Sequence, residues 1–389
     1  MSRFHSYISS ATRIIETYDG AKPLMYHLKN FFSAEKKYGS RDRKTITSLC
    51  YGYFRIGHAL KNASIEDRIL TGLFLSENKS NDMLALLRPN WNEQSLLPVM
   101  DKLSLLEINH ADIFPFSKQV GDDVDKAAFS ISFLKQPDLY LRIRPGKEKQ
   151  VFDKLNDASI PFQTVNESCL EFSNNTSLDS ILKINKEAVI QDTNSQRVLD
   201  FLKKDPDFFT GKGKINAWDC CAASGGKSIL LYDVLKGQVR LTVSDIRENI
   251  LLNLVKRFQE AGVNIHKKFI ADLSKESSLP ATDLFSLILC DAPCTGSGTW
   301  SRTPEQLFYF DESSIDLFAE KQKKIVSNII PHIEPGGLLF YITCSVFKKE
   351  NEEVVDFINE KFQLRLLQMQ YLKGYEQRAD TMFVAVFQA

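Results

Sequence analysis

The stretch Ile215–Leu235 constrains the fold most. A strand-like segment, Ile215–Cys220, leads into the small-residue turn Asp219-Cys220-Cys221-Ala222-Ala223-Ser224-Gly225-Gly226-Lys227-Ser228, and the apolar run Ile229–Leu235 follows. That order reads as strand, tight turn, helix. Similar units follow downstream: Leu241–Ser244 as a strand, Ile250–Ala261 with helical period, and Leu284–Cys290 as a buried strand. Ser313–Ile330 then sets Ile315, Phe318, Ala319, Ile325, Val326 and Ile329 on one helical face, and Pro335-Gly336-Gly337 turns into the strand Leu338–Cys344. Strands alternating with helices predict an α/β domain with a doubly wound parallel sheet over 187–389. In such a sheet a ligand binds beyond the strands' carboxyl ends.

Upstream, the pattern changes. Residues 1–120 read as helical: Ile46, Leu49, Cys50, Tyr53, Phe54 and Gly57 recur at the spacing of one helix face, and Ser64 with Asp67 forms a capping box for the next helix. Residues 121–186 read as a small α/β subdomain, because Leu139, Leu141 and Ile143 alternate with Tyr140, Arg142 and Arg144 before the helix-like Lys147–Ala158. The 389 residues suit two or three domains. No apolar run reaches the length of a membrane span and Met1–Gly20 lacks a continuous apolar core, so neither a membrane anchor nor a secretory leader is expected. Seven cysteines, an odd number, predict reduced thiols and a cytoplasmic chain. Nothing requires more than a monomer.

The turn carries chemistry of its own. Small residues let a cofactor approach the backbone, and free N–H groups at a helix start favour an anionic group. Asp245 lies 19 residues beyond Gly226, at the end of the next strand, where a carboxylate can accept from both hydroxyls of a ribose. A P-loop would need glycine at Cys221, and a nicotinamide site would need G-x-G-x-x-G. Neither pattern is met, so the turn points to a nucleoside-bearing cofactor.

Cysteine placement adds a second constraint. Cys294, in Asp291-Ala292-Pro293-Cys294-Thr295-Gly296-Ser297-Gly298, and Cys344, in Thr343-Cys344-Ser345, each follow a predicted strand on the rim that holds the turn. Cys50, Cys169 and Cys290 read as core residues. No C-x-x-C pair exists, and His266 and His332 lack ligand spacing to the thiols, so no metal is expected.

These segments, with Asp272-Leu273 and Val189–Gln196, resemble the RsmB/NOP (NSUN) family of RNA cytosine-C5 methyltransferases. The resemblance covers 139–389, and Ser40–Leu60 is similar to the NusB-like helical domain of the RsmB branch. It implies a class I, Rossmann-like methyltransferase domain that uses S-adenosylmethionine. It also implies that Cys344 is the nucleophile, that Cys294 assists breakdown of the covalent adduct, and that Asp291 contacts the base. For the cofactor it implies Cys221, Ala222, Ala223, Ser224, Gly225, Gly226 and Lys227 at the methionine end, Asp245 at the ribose, Asp272 at the adenine and Asp291 nearby. Ser224 stands where the family usually has proline, and Thr295 and Ser297 replace commoner small residues. No extension beyond Ala389 is expected to take part in substrate selection. The DNA-type alternative would make Cys294, after Pro293, the nucleophile and leave Cys344 without a role.

The implied substrate is ribosomal RNA of the small subunit, with transfer RNA second. A non-catalytic RNA-binding assembly factor with a vestigial fold is the reading from a different class. Lysine plus arginine and aspartate plus glutamate both total 49, so only local patches can argue for RNA. Lys29–Lys61 holds eight basic residues, among them Lys36, Lys37, Arg41, Arg43 and Lys44, against two acids, with Tyr38, Tyr51, Tyr53 and Phe54 interleaved. Arg142, Arg144, Lys147 and Lys149 form a second candidate patch, and the acidic stretch 112–125 is expected to face away from RNA.

Overall fold

A computed structural model describes residues 3–205, 208–209, 213–275 and 283–389. The chain forms two compact units. The first comprises Met1–Val120, Asp125–Gln136 and Thr299–Glu312; the second comprises Gly121–Val124, Pro137–Gly298 and Ser313–Ala389.

The first unit is helical. Its helix Ser40–Arg55 buries Ile46, Leu49, Cys50, Tyr53 and Phe54, the face set by the sequence spacing. It packs on Ile65–Ser76, whose start is capped by the Ser64 hydroxyl accepting the Asp67 N–H. The two backbones touch at a pair of glycines: a Cβ added to Gly72 would lie 2.1 Å from the Gly52 carbonyl oxygen. Arg55 and Arg68 are buried and donate to main-chain carbonyls, Arg55 to those of Phe133 and Ser301 at 3.0 and 2.9 Å.

This packing corrects part of the expected RNA patch. Tyr38, Tyr53 and Phe54 are core side chains and cannot stack on bases, and Arg55 is bound internally. Lys29, Lys36, Lys37, Arg41, Arg43, Lys44 and Lys61 remain exposed, with Lys37 paired to Glu35 at 3.0 Å.

The second unit contains two sheets. The smaller has strands β1 (Leu139–Ile143), β2 (Gln163–Asn166), β3 (Cys169–Phe172) and β4 (Ala188–Ile190) in the order β2-β3-β1-β4. Leu141, Ile143, Leu170 and Phe172 pack there against Val151 and Leu155 of the helix Glu148–Asp157. The larger has β5 (Ile215–Asp219), β6 (Val239–Asp245), β7 (Ile265–Ile270), β8 (Phe285–Asp291), β9 (Ile333–Thr343), β10 (Arg365–Leu372) and β11 (Met382–Gln388), ordered β10-β11-β9-β8-β5-β6-β7. Strands β5 to β9 pair in parallel; β11 runs antiparallel to both β9 and β10. The sheet is therefore mixed rather than wholly parallel, because the short connection from β10 to β11 can only reverse the chain. β5 leads to β6 on one side and pairs β8 on the other, so strand order switches beside β5, where a ligand crevice opens.

Arg142 and Arg144 are not a surface patch. They are 4% and 9% exposed, and both pair with Asp233 on the helix Gly226–Val234. Arg142 also donates to Gln191 at 2.9 Å and Arg144 to the Ala261 carbonyl. Buried and paired this way, the two guanidinium groups join the small sheet to the helix after β5 and do not form an exposed phosphate-binding patch, although Arg142 Nη2 has no partner among the described residues. Alternation along β1 is equally consistent with either outcome, since it tells which residues share a face and not what covers that face. No helix among the described residues is long and apolar enough to cross a membrane.

Candidate active site

Five strand ends, those of β5, β6, β7, β8 and β9, build the site. β5 ends at Asp219, and the turn after it needs left-handed backbone at Ala223 (φ +45°) and Gly225 (φ +81°). Glycine is required at the second position twice over, because a Cβ there would also sit 2.4 Å from the Phe258 ring. The turn is bound to β6: Ala222 N–H donates to the Ser244 carbonyl and Ala223 N–H to Asp245 Oδ2, at 2.9 and 3.0 Å.

Each acid at the rim has its own setting. Asp219 is buried, accepts from the Ser228 hydroxyl through one oxygen, and has no partner for the other among the described residues. Burial pushes its pKa up to about 7, against the Ser228 hydrogen bond. Asp291 pairs with Lys227 Nζ at 2.6 Å. Burial works against the charge on Lys227, but Asp291 outweighs it and holds the ammonium above its ordinary value. Burial likewise opposes ionisation of Asp245, and donors from Arg247 with the Ala223 N–H hold it below the usual carboxylate range. Asp272 accepts the Ser274 hydroxyl at 2.6 Å, which lowers it.

These strand ends surround a cavity of about 400 Å³ lined by Cys221, Asp245, Asp272, Asp291, Cys294 and Cys344, among others. Its size falls in the ordinary range for small-molecule sites. Ala223 lines it as expected. Ala222, Ser224, Gly225, Gly226 and Lys227 do not line it; they shape the turn behind it. Ala222 is core, the Ser224 hydroxyl accepts from Arg257 at 3.0 Å, and Lys227 reaches the cavity wall through Asp291. The sequence reading missed Arg247, which takes up the Asp245 carboxylate, and Lys321, four residues before Ile325 on the helix Ser314–Ile329, both lining the cavity. The four-residue spacing was visible; the direction of that face was not.

The two expected thiols meet. Cys294 Sγ lies 3.4 Å from Cys344 Sγ, both half-buried. The contact with Cys344, then burial, pushes the Cys294 thiol up. Their loops are joined by Gly298 N–H to the Cys344 carbonyl at 2.8 Å and Val346 N–H to the Ser297 hydroxyl at 2.9 Å. A second gathering of sulfur was not foreseen: Cys220, Cys221 and Cys290 bring their sulfur atoms within 4.8 Å of one another, close enough to share a metal ion. Cys290 is core, as its strand position predicts, but adjacent strands β5 and β8 bring it to the turn.

Residues 212–386 match the family described as 16S rRNA methyltransferase RsmB/F. A probable ribosomal RNA small subunit methyltransferase B of Bacillus subtilis is 32% identical over 177 residues, 45% of this chain and 38% of that protein. The mouse 28S rRNA (cytosine-C(5))-methyltransferase is 30% identical over 153 residues, 38% of this chain and 19% of that protein. The chain thus spans less than half the length of these relatives. Among solved structures, PH0851 superposes over the whole of both chains with a TM-score of 0.72 at 18% identity. NSun6 from Pyrococcus horikoshii, crystallised with an S-adenosylmethionine analogue, covers 70% of this chain and 96% of its own, with a TM-score of 0.58 at 15% identity. At these identities the likeness is one of fold, that of the class I methyltransferases.

Proposed function

We propose that this chain, which belongs to the RsmB/F methyltransferase family through residues 212–386, transfers a methyl group from S-adenosylmethionine to carbon 5 of a cytosine in RNA. Ribosomal RNA is the favoured substrate, because the relatives are named for it. The small-subunit target follows the Bacillus relative and the family description. The helical residues 1–120 are assigned to RNA contact, 121–186 and 187–389 to the catalytic half, and the protein to the cytoplasm as a monomer.

The observation that carries this reading is the pair of thiols from separate strand ends, 3.4 Å apart on the cavity that also holds Asp245 and Asp272. The residues fit the methyl donor. Asp245 supplies carboxylate acceptors for a ribose, Asp272 an acceptor for an amino group, and the unpartnered oxygen of Asp219 a buried acceptor behind the turn. When bound, S-adenosylmethionine supplies a methyl group on a positive sulfur, an electrophile.

The remaining chemistry belongs to the chain. Carbon 5 of cytosine is too weak a nucleophile on its own. Cys344, as thiolate, adds to carbon 6 and pushes electron density onto carbon 5, which then takes the methyl group. Once Cys344 is bound to carbon 6 as a thioether, the contact that pushes the Cys294 thiol up is gone. Cys294, having lost its own proton to solvent, accepts the carbon-5 proton as thiolate, and the bond from Cys344 to carbon 6 breaks with its electron pair leaving on sulfur as the 5,6 double bond re-forms. Asp291, paired with Lys227, accepts from the exocyclic amino group at the base's N3 edge and holds the ring in place. The base must leave its stack to reach the cavity. Bisulfite sequencing of ribosomal and transfer RNA from cells with and without the protein tests the proposal. A cytosine that loses protection only when the protein is absent supports it, and an unchanged pattern in both RNAs defeats it.

A further inference from the structure

Glu350 is fully buried, at the end of the short turn Lys348–Glu350 that follows β9. Its two oxygens accept the main-chain N–H and the hydroxyl of Thr295, at 2.8 and 2.7 Å. Its own carbonyl accepts the Tyr341 hydroxyl at 2.6 Å. The next residue, Asn351, donates to the Ser345 carbonyl at 2.9 Å and accepts the Thr343 hydroxyl at 2.6 Å. Gln322 donates to the Pro293 carbonyl at 3.0 Å and lies 3.5 Å from Glu350. The neighbours of Cys294 and those of Cys344 are therefore held by one cluster.

Between the loops, the hydroxyls of Thr295, Ser297 and Ser345 lie 3.2–3.4 Å apart. A carboxylate only accepts, so the Thr295 hydroxyl donates to Glu350 at 2.7 Å; its contact with the Ser297 hydroxyl, in which it is again the donor, is longer at 3.4 Å. A buried carboxylate is costly unless hydrogen-bonded. Burial does push Glu350 up, and hydrogen bonds from Ser345 and Thr295 oppose it. These donors sit on the two loops that carry the thiols.

We infer that Glu350 is a positioning residue that holds the Cys294 and Cys344 loops in register and so sets the separation of their sulfur atoms. The consequence for turnover rests on the methyl-transfer reading; the clamp itself does not.

Two measurements separate the two. The first treats the full chain with diamide, which takes two electrons and two protons from the thiols to form a Cys294–Cys344 disulfide and is itself reduced to the hydrazine. The rate of linking is followed by peptide mass spectrometry in the wild type, Glu350→Gln and Thr295→Val. Each variant should link at least tenfold more slowly, while alkylation of Cys221 is unchanged. The second measures methyl transfer, where Glu350→Gln should lower kcat at least tenfold and leave KM for S-adenosylmethionine unaltered. Linking rates equal to wild type in both variants overturn the clamp. Wild-type protein without methyl transfer overturns the functional reading and leaves the linking result to judge the clamp alone. Should Glu350→Gln fail to fold, Thr295→Val, which removes one hydroxyl, decides by the same criteria.

Discussion

Cys294 Sγ stands 3.4 Å from Cys344 Sγ, although 50 residues separate the two in the chain. Such proximity suits two successive tasks on one base better than two independent structural roles. Replacing Cys344 with alanine should reduce methyl transfer to background. Cys294→Ala should instead allow the methyl to transfer once and leave a covalent protein–RNA adduct, seen as a slow-migrating band on a denaturing gel. Adduct in Cys344→Ala and none in Cys294→Ala would reverse the assignments.

Asp245 accepts four hydrogen bonds, from Ala223 N–H, Arg247 N–H and two guanidinium nitrogens of Arg247. A ribose can use that carboxylate only by displacing the guanidinium, whose side chain is 55% exposed. Arg247→Ala should tighten S-adenosylmethionine binding severalfold. Asp245→Asn should weaken it at least tenfold, since hydrogen bonds to a charged group are worth about 1.5–3 kcal/mol. Calorimetric titration reads both, and equal affinities across the three proteins would remove Asp245 from the ribose.

The two basic stretches should respond differently to neutralisation. Lys36, Lys37, Arg41 and Lys44 are exposed. Replacing all four with glutamine should weaken RNA binding and reduce the salt slope of log affinity by up to about 3. Arg142→Ala should leave RNA binding by folded protein unchanged. It would leave Asp233 short of a buried partner, at a cost of about 3–5 kcal/mol in chemical denaturation. A normal stability in Arg142→Ala would mean that the interior pairing contributes little.

Asp219 makes stability depend on pH. Its folded-state pKa of about 7 lies above that of an unfolded aspartate, so the native state binds more protons between roughly pH 4 and 7. Stability from this group is therefore lost as pH rises through that window, with a limiting slope of about 1.4 kcal/mol per pH unit. Asp219→Asn should flatten that part of the profile in denaturant titrations. An identical profile in the variant would show that Asp219 titrates normally.

Much of this molecule was legible along the chain. The spacing of Ile46, Leu49, Cys50, Tyr53 and Phe54 located a helix face, and the buried run before Cys290 located a strand, because apolar periodicity reports burial directly. The turn at 219–228 and the motifs around Cys294 and Cys344 marked the strand ends that form the cavity. Basic residues were less informative. Arg55, Arg142 and Arg144 look like Lys36 and Arg41 in sequence, yet they end inside, bound to carbonyls or to Asp233.

The sequence by itself determined where strands, helices and reactive side chains lie along the chain, since these follow from local spacing and residue chemistry. Only the tertiary structure decided which of them meet. The Sγ–Sγ contact, the thiol cluster of Cys220, Cys221 and Cys290, the grip of Arg247 on Asp245 and the hold of Glu350 on Thr295 join residues on different loops or strands, or rotamers within one turn. Strand order and packing in three dimensions bring those groups together, and one-dimensional periodicity carries no record of them.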